Sequence, residues 1–187
     1  VTDIIPPWTP VLDGYGGTWV GAYPYVDAAD ADVSYGEFVG AAGEHVGLEL
    51  APFVPEAVVI GSRLEMQVWN DADSDPVPSL YNWFVEGGHG VDVYDIGEDG
   101  IFREDITAPT ATWTTLVIEN PIPLELLDEA LTALSTDGLS ILSSMVANSI
   151  HSFTFRCSYL QFVLTSADEA PNLSGAALDD RVRFWGG

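Results

Sequence analysis

Three aspartates at alternate positions, Asp71, Asp73 and Asp75, follow Asn70 in an acidic run. Calcium loops wrap oxygens around a hard cation with this spacing, so the three carboxylates form a candidate calcium site. Pro76 stands where the helix–loop–helix calcium motif requires Gly, and Asn82 stands where it requires a bidentate Glu. A solvated acidic turn between two strands is the plainer reading of the same run. Apart from this calcium, no cofactor is expected. His45, His89 and His151 are far apart and form no metal-binding pair. Cys157 lies among aromatic residues in a strand-like stretch, where a thiol is buried and inert rather than nucleophilic. Ser158 has no flanking glycines of the nucleophile-elbow kind. The glycine-rich stretches Gly14–Gly17 and Gly87–Gly90 lack the Lys and the following helix of a phosphate loop. Any pair of carboxylates chosen for glycoside hydrolysis is uninformative in so acidic a chain. No catalytic residue emerges, and a non-enzymatic protein is expected.

A second group of residues suggests contact rather than chemistry. Arg181 and Arg183 alternate with Val182 and Phe184 just ahead of Trp185, while Trp8 and Trp19 sit among prolines and glycines near the other end. Guanidinium groups and large aromatics are what protein interfaces are anchored by, so these six are candidate partner-binding residues: Arg181, Arg183, Phe184, Trp185, Trp8 and Trp19. The exposed aromatics Trp69, Tyr81 and Trp83 are alternatively suited to stacking on sugar rings.

The charge narrows the partners. The 187 residues carry 29 Asp plus Glu against 5 Arg and no Lys, a formal charge of −24. Five scattered cations cannot build a phosphate-tracking patch, so nucleic acid is excluded as a partner. No apolar run approaches the roughly 18 residues of a membrane-spanning helix, so no membrane partner is expected. No basic–apolar–small leader is seen at the start, and Val1 suits removal of an initiator Met. One cysteine leaves no internal disulfide framework. Such an acidic surface is adapted to high salt or serves solubility in a GC-rich source. In either case the melting temperature should rise from tens of millimolar to molar salt, because screening shortens the reach of carboxylate repulsion to about 3 Å at 1 M. A flat or falling melting curve with added salt overturns this.

The elements that position these residues are mainly strands. Val1 to Ser34 is rich in Pro, Gly and Asp and reads as an N-terminal arm or irregular first strand, residues 1–34. From Tyr35 the apolar period is two: Val46, Leu48 and Leu50; Leu64, Met66 and Val68; Trp113, Thr115 and Val117; then long strands from Leu139 and from Ser152 to Thr165. The expected core is Leu48, Leu50, Leu64, Met66, Val68, Val117, Leu127, Leu131, Leu139, Ile141, Phe155 and either Leu160 or Phe162. In the last strand Phe153, Phe155 and Cys157 share one parity and Leu160, Phe162 and Leu164 the other, which predicts a β-bulge near Tyr159 or a strand crossing between the sheets. Leu124, Leu127, Leu131 and Leu134 recur at helical spacing, with Gly138 as a left-handed stop, which predicts one helix from about Pro123 to Ser135. The fold class is therefore all-β: an antiparallel jelly-roll-like β-sandwich over residues 35–165, with one short helix, extended N- and C-terminal arms, and residues 166–187 as the C-terminal arm.

Three stretches carry a family likeness: Gly17-Thr-Trp19 with Tyr25-Val-Asp27; Pro55 to Trp69; and Trp113-Thr-Thr with Asn120-Pro, the leucine helix and Phe155 to Leu164. This layout resembles the small jelly-roll virion structural proteins of tailed double-stranded DNA viruses, used for capsid decoration or as minor capsid or minor tail components. The resemblance implies a protein located in the virion, with other virion proteins and further copies of itself in a homo-oligomer as partners. The alternative is a carbohydrate- or receptor-binding β-sandwich whose partner is a surface glycan.

Overall fold

A computed structural model describes residues 1–14, 17–20, 35–40, 44–71, 79–89, 94–97, 101–108, 111–146 and 153–167. Eleven strands are named in it: β1 (Thr2–Ile4), β2 (Trp8–Gly14), β3 (Gly17–Val20), β4 (Gly36–Gly40), β5 (Glu44–Leu50), β6 (Val59–Asn70), β7 (Ser79–Gly87), β8 (Ile101–Ala108), β9 (Thr114–Glu119), β10 (Leu139–Val146) and β11 (Phe153–Ser166). They form two antiparallel sheets. The first runs β3-β4-β11-β6-β9, with β1 also paired to β11, and the second runs β2-β5-β10-β7-β8. From β5 onward the chain crosses repeatedly between the sheets, so the buried faces of both come from sequence-distant strands. The expected antiparallel sandwich is thus the observed architecture.

Alternation explains which side of each strand is covered. In β6 the buried residues Leu64, Met66 and Val68 face Phe155, Leu160, Phe162 and Leu164 of the same sheet and Val46, Leu48, Leu50, Val85, Leu139 and Ile141 of the other, in one core. Leu160 and Phe162 are both buried, where only one was expected. The phase change in β11 is where the sequence puts it. Cys157 pairs with Val68 and Tyr159 with Gln67, so Ser158 is the extra residue of a bulge, and the inward set switches there. Burial pushes the Cys157 thiol far above its ordinary range, as expected of an inert cysteine.

The helix is a 3₁₀ turn, Leu124–Leu126, running into α1, Leu127–Thr136. It buries Leu127, Ala130, Ala133 and Leu134, while Leu131 is half-buried and Leu124 is 58% exposed, because the 3₁₀ turn rotates the first leucine out of the helical stripe. Gly138 ends it at φ +90°, its N–H donating to the Ala133 carbonyl at 2.9 Å.

Three expectations need correction. Residues 2–20 contribute β1, β2 and β3 to the two sheets, so the sandwich begins well before residue 35. The prolines and glycines there mislead because β2 and β3 lie at sheet edges, where the missing N–H of Pro10 breaks no interior ladder. Val117 is 49% exposed, with Leu116 and Ile118 buried opposite Met66 and Leu64. The run Leu-Val-Ile allows either parity, and the two bulkier γ- and δ-carbon side chains fill the core. Trp83 is 4% exposed and faces inward, so it offers no stacking surface.

Candidate functional site

Because Leu64, Met66 and Val68 point inward, Arg63, Glu65, Gln67 and Trp69 share the outer face of β6. Six residues of rise make this row about 20 Å long. The register adds neighbours on both sides. Arg156 pairs with Trp69 and with Glu37, Tyr159 with Gln67, and Gln161 with Glu65. Across β9, Thr115, Val117 and Glu119 pair with Gln67, Glu65 and Arg63. The bulge at Ser158 is what turns Tyr159 and Gln161 outward here.

At one end of this face lies an aromatic–cation cluster. The Arg156 guanidinium sits 4.5 Å over the Trp69 ring and 4.9 Å from the Tyr35 ring centroid, so it is held between the two. Tyr35 in turn meets Trp113 at 5.8 Å, with the rings tilted by 54°. Arg156 Nε donates to Glu37 Oε2 at 2.7 Å. All four ring-bearing or cationic side chains are half-buried, so they are ordered by contact yet reachable from solvent.

Along the strands the face becomes polar. The Ser158 hydroxyl donates to Gln67 Oε1 at 2.6 Å, and the Tyr159 hydroxyl donates to Gln161 Oε1 and, at 3.3 Å, to Glu65 Oε2. At the far end Arg63 donates from Nη2 to Asp3 at 2.9 Å and from Nε to Glu65 at 2.5 Å. The hydrogen bond to Asp3, then the one to Glu65, hold the Arg63 guanidinium further above its already high range. The site thus offers π faces at one end and a strip of fixed amide, hydroxyl, carboxylate and guanidinium groups beside them. Ser158 is fully buried, with its hydroxyl committed to Gln67.

Other sequence-marked residues fall elsewhere. Trp8, in β2, pairs with Leu50 of β5 and packs half-buried against the chain's own core. Trp19 lies in β3, where its backbone pairs with Phe38, and its side chain lies outside the described residues. The Asp71 N–H donates to the Thr154 carbonyl at 3.1 Å and its carboxylate accepts from the Thr154 N–H, which prolongs the β6–β11 pairing. Asp73, Asp75, Arg181, Arg183, Phe184, Trp185 and the side chain of Tyr81 lie outside the described residues. Gly87 is glycine because a Cβ would come within 2.3 Å of the Tyr94 ring, which is packing and not phosphate binding. His89 Nδ1 lies 3.6 Å from Glu49 on the second sheet, and burial, then the charge of Asp95, pushes the Glu86 carboxyl above its usual range. A separate pocket of about 590 Å³ opens beside β1, between Ile4, Phe53 and Ser166.

Of the outer-face residues, only Trp69 is singled out by sequence. Tyr35 with Glu37, Trp113 and Arg156 come from three separate chain segments, and their signal is register, not spacing. The one sequence mark on them is that Arg156 is among five cations in the whole chain.

No family model matches the chain, and no curated protein matches it. Solved structures with a similar strand layout include TmCBM61 in complex with β-1,4-galactotriose, at 17% identity over 86% of this chain and 89% of that one, TM-score 0.43. Another is a family 11 carbohydrate-binding module of a Clostridium thermocellum cellulosomal cellulase, at 13% identity over 89% and 96%, TM-score 0.47. A third is the xylan-binding CBM22-1 domain from Paenibacillus barcinonensis, at 14% identity over 86% and 87%, TM-score 0.42. None of the three is a virion protein, and the virion role expected from hydrophobic layout finds no support in them.

Proposed function

We propose that the chain is a non-catalytic carbohydrate-binding β-sandwich that takes a saccharide on the outer face of its first sheet. The observation that carries this is the Glu37–Arg156–Trp69 row with Tyr35 and Trp113 beside it. A sugar ring presents apolar C–H patches on its faces and hydroxyls around its rim. Half-buried aromatic side chains suit the first, and planar polar groups fixed by their own hydrogen bonds suit the second at small entropic cost. Half-buried Gln67, Gln161 and Glu65, braced by the buried Tyr159, continue the polar strip along the strands and give room for more than one sugar unit.

Migration in native gels containing soluble polysaccharides tests this. The protein should be retarded by at least one polysaccharide of a broad panel, and Trp69→Ala should weaken the retardation about ten-fold or more while circular dichroism is unchanged. Absence of retardation across the panel, or a Trp69→Ala protein that binds as before, overturns the reading.

A further inference from the structure

We infer that this face selects uncharged saccharide chains and rejects those carrying carboxylate or sulfate, an inference that rests on the carbohydrate-binding reading above. The reason is local charge matching. Among the described residues the face holds two cations, Arg63 and Arg156, and each is already met by carboxylates. Arg63 donates from Nη2 to Asp3 and from Nε to Glu65, with Glu119 opposite it on β9. Arg156 gives its Nε to Glu37, and aromatic rings cover its guanidinium plane. Three carboxylates thus contact two guanidinium groups, with Glu119 as a fourth acidic residue at the paired position on β9, and neither guanidinium presents unmatched positive charge.

An incoming carboxylate, whether it displaces Asp3, Glu37 or Glu65 or shares the arginine with it, would sit beside that group as a like charge. Sugar hydroxyls face no such exchange. They donate to Glu37 and Glu65 and accept from the remaining guanidinium N–H groups without altering the charge balance. The net −24 of the chain adds a longer-range repulsion of the same sign, but that contribution is screened by salt, whereas contact-range matching within the face is screened far less.

The test compares two derivatives of whichever neutral polysaccharide retards the protein: hydroxyethylated and carboxymethylated to matched substitution. The wild-type protein should bind the carboxymethyl form about ten-fold or more weakly than the hydroxyethyl form, and the gap should persist in 1 M NaCl. The double variant Glu37→Gln with Glu65→Gln should narrow the gap about ten-fold by releasing the Arg156 guanidinium and leaving Arg63 with Asp3 as its carboxylate partner. Equal binding of the two derivatives by the wild-type protein, or a gap that closes in 1 M salt, overturns the inference while the carbohydrate reading stands. A protein that binds no polysaccharide at all overturns both. Should the double variant fail to fold, the wild-type comparison at two salt concentrations still decides.

Discussion

Replacing Phe162 by Ala should lower the free energy of unfolding by about 3–5 kcal/mol. Phe162 has no solvent exposure and pairs with buried Leu64 at the centre of the first sheet. It lies on β11, whose ladder to β6 runs through Phe162 itself, while β4 and β1 pair the other edge of the strand on either side of it, so the backbone around the vacated volume is held in place. A cavity there relaxes little, and the lost contacts add to the lost transfer free energy. Against a typical total of about 5–15 kcal/mol this is a large share. Val117→Ala is the matched control. Its side chain is 49% exposed on the outer face of β9, and its loss should change stability by no more than about 0.5 kcal/mol. Urea unfolding of both variants, with the slope unchanged, reads the difference. If the two substitutions have equal effect, the inner and outer faces have been assigned wrongly.

Those faces show what a sequence can and cannot carry. The phase change in β11 is legible because Phe155 and Cys157 sit at one parity and Leu160, Phe162 and Leu164 at the other, and the continuous pairing with β6 makes it a bulge rather than a crossing between sheets. The helix is legible from its leucines and from Gly138. In β9 the apolar run leaves parity undecided, and only pairing with Leu64 and Met66 settles it. In β2 the edge position that tolerates Pro10 is a property of the sheet, not of the segment, so local turn chemistry suggests an arm.

The candidate site is less legible still. Trp69 stands out as an aromatic in a strand, but its partner Arg156 is 87 residues away and Tyr35 is 34 residues away on the other side. Outward positions on strands carry polar residues whether or not they bind anything. What distinguishes this face is that cross-strand register gathers Glu37, Arg156 and Trp69 into one row and the Ser158 bulge turns Tyr159 and Gln161 outward beside it. Neither event leaves a mark within any one segment beyond the phase change itself.

Gly138→Ala is expected to destabilise the fold by about 3 kcal/mol or more, combining a left-handed backbone penalty of about 1–2 kcal/mol with a backbone collision. At φ +90° the residue already occupies a conformation that L side chains rarely adopt. A Cβ would also come within 2.2 Å of the Leu50 carbonyl oxygen and 3.1 Å of the His89 Cβ. The Leu50 carbonyl cannot simply retreat, because Leu50 lies in β5, pairs with Leu139 directly after the glycine, and pairs with Trp8 on its other side. Gly138 also accepts from the Gly88 N–H at 2.9 Å, so a shift of its backbone disturbs the end of β7 as well. Gly97 separates the two contributions. It too has a positive φ, +78°, but among the described residues a Cβ there would meet the Leu126 side chain at an ordinary 3.9 Å. Gly97→Ala should therefore cost only the conformational part, about 1–2 kcal/mol. Thermal and urea unfolding of the two variants should show Gly138→Ala as clearly the worse. Equal losses would mean that the junction of helix and sheet at Gly138 has room that the geometry denies it.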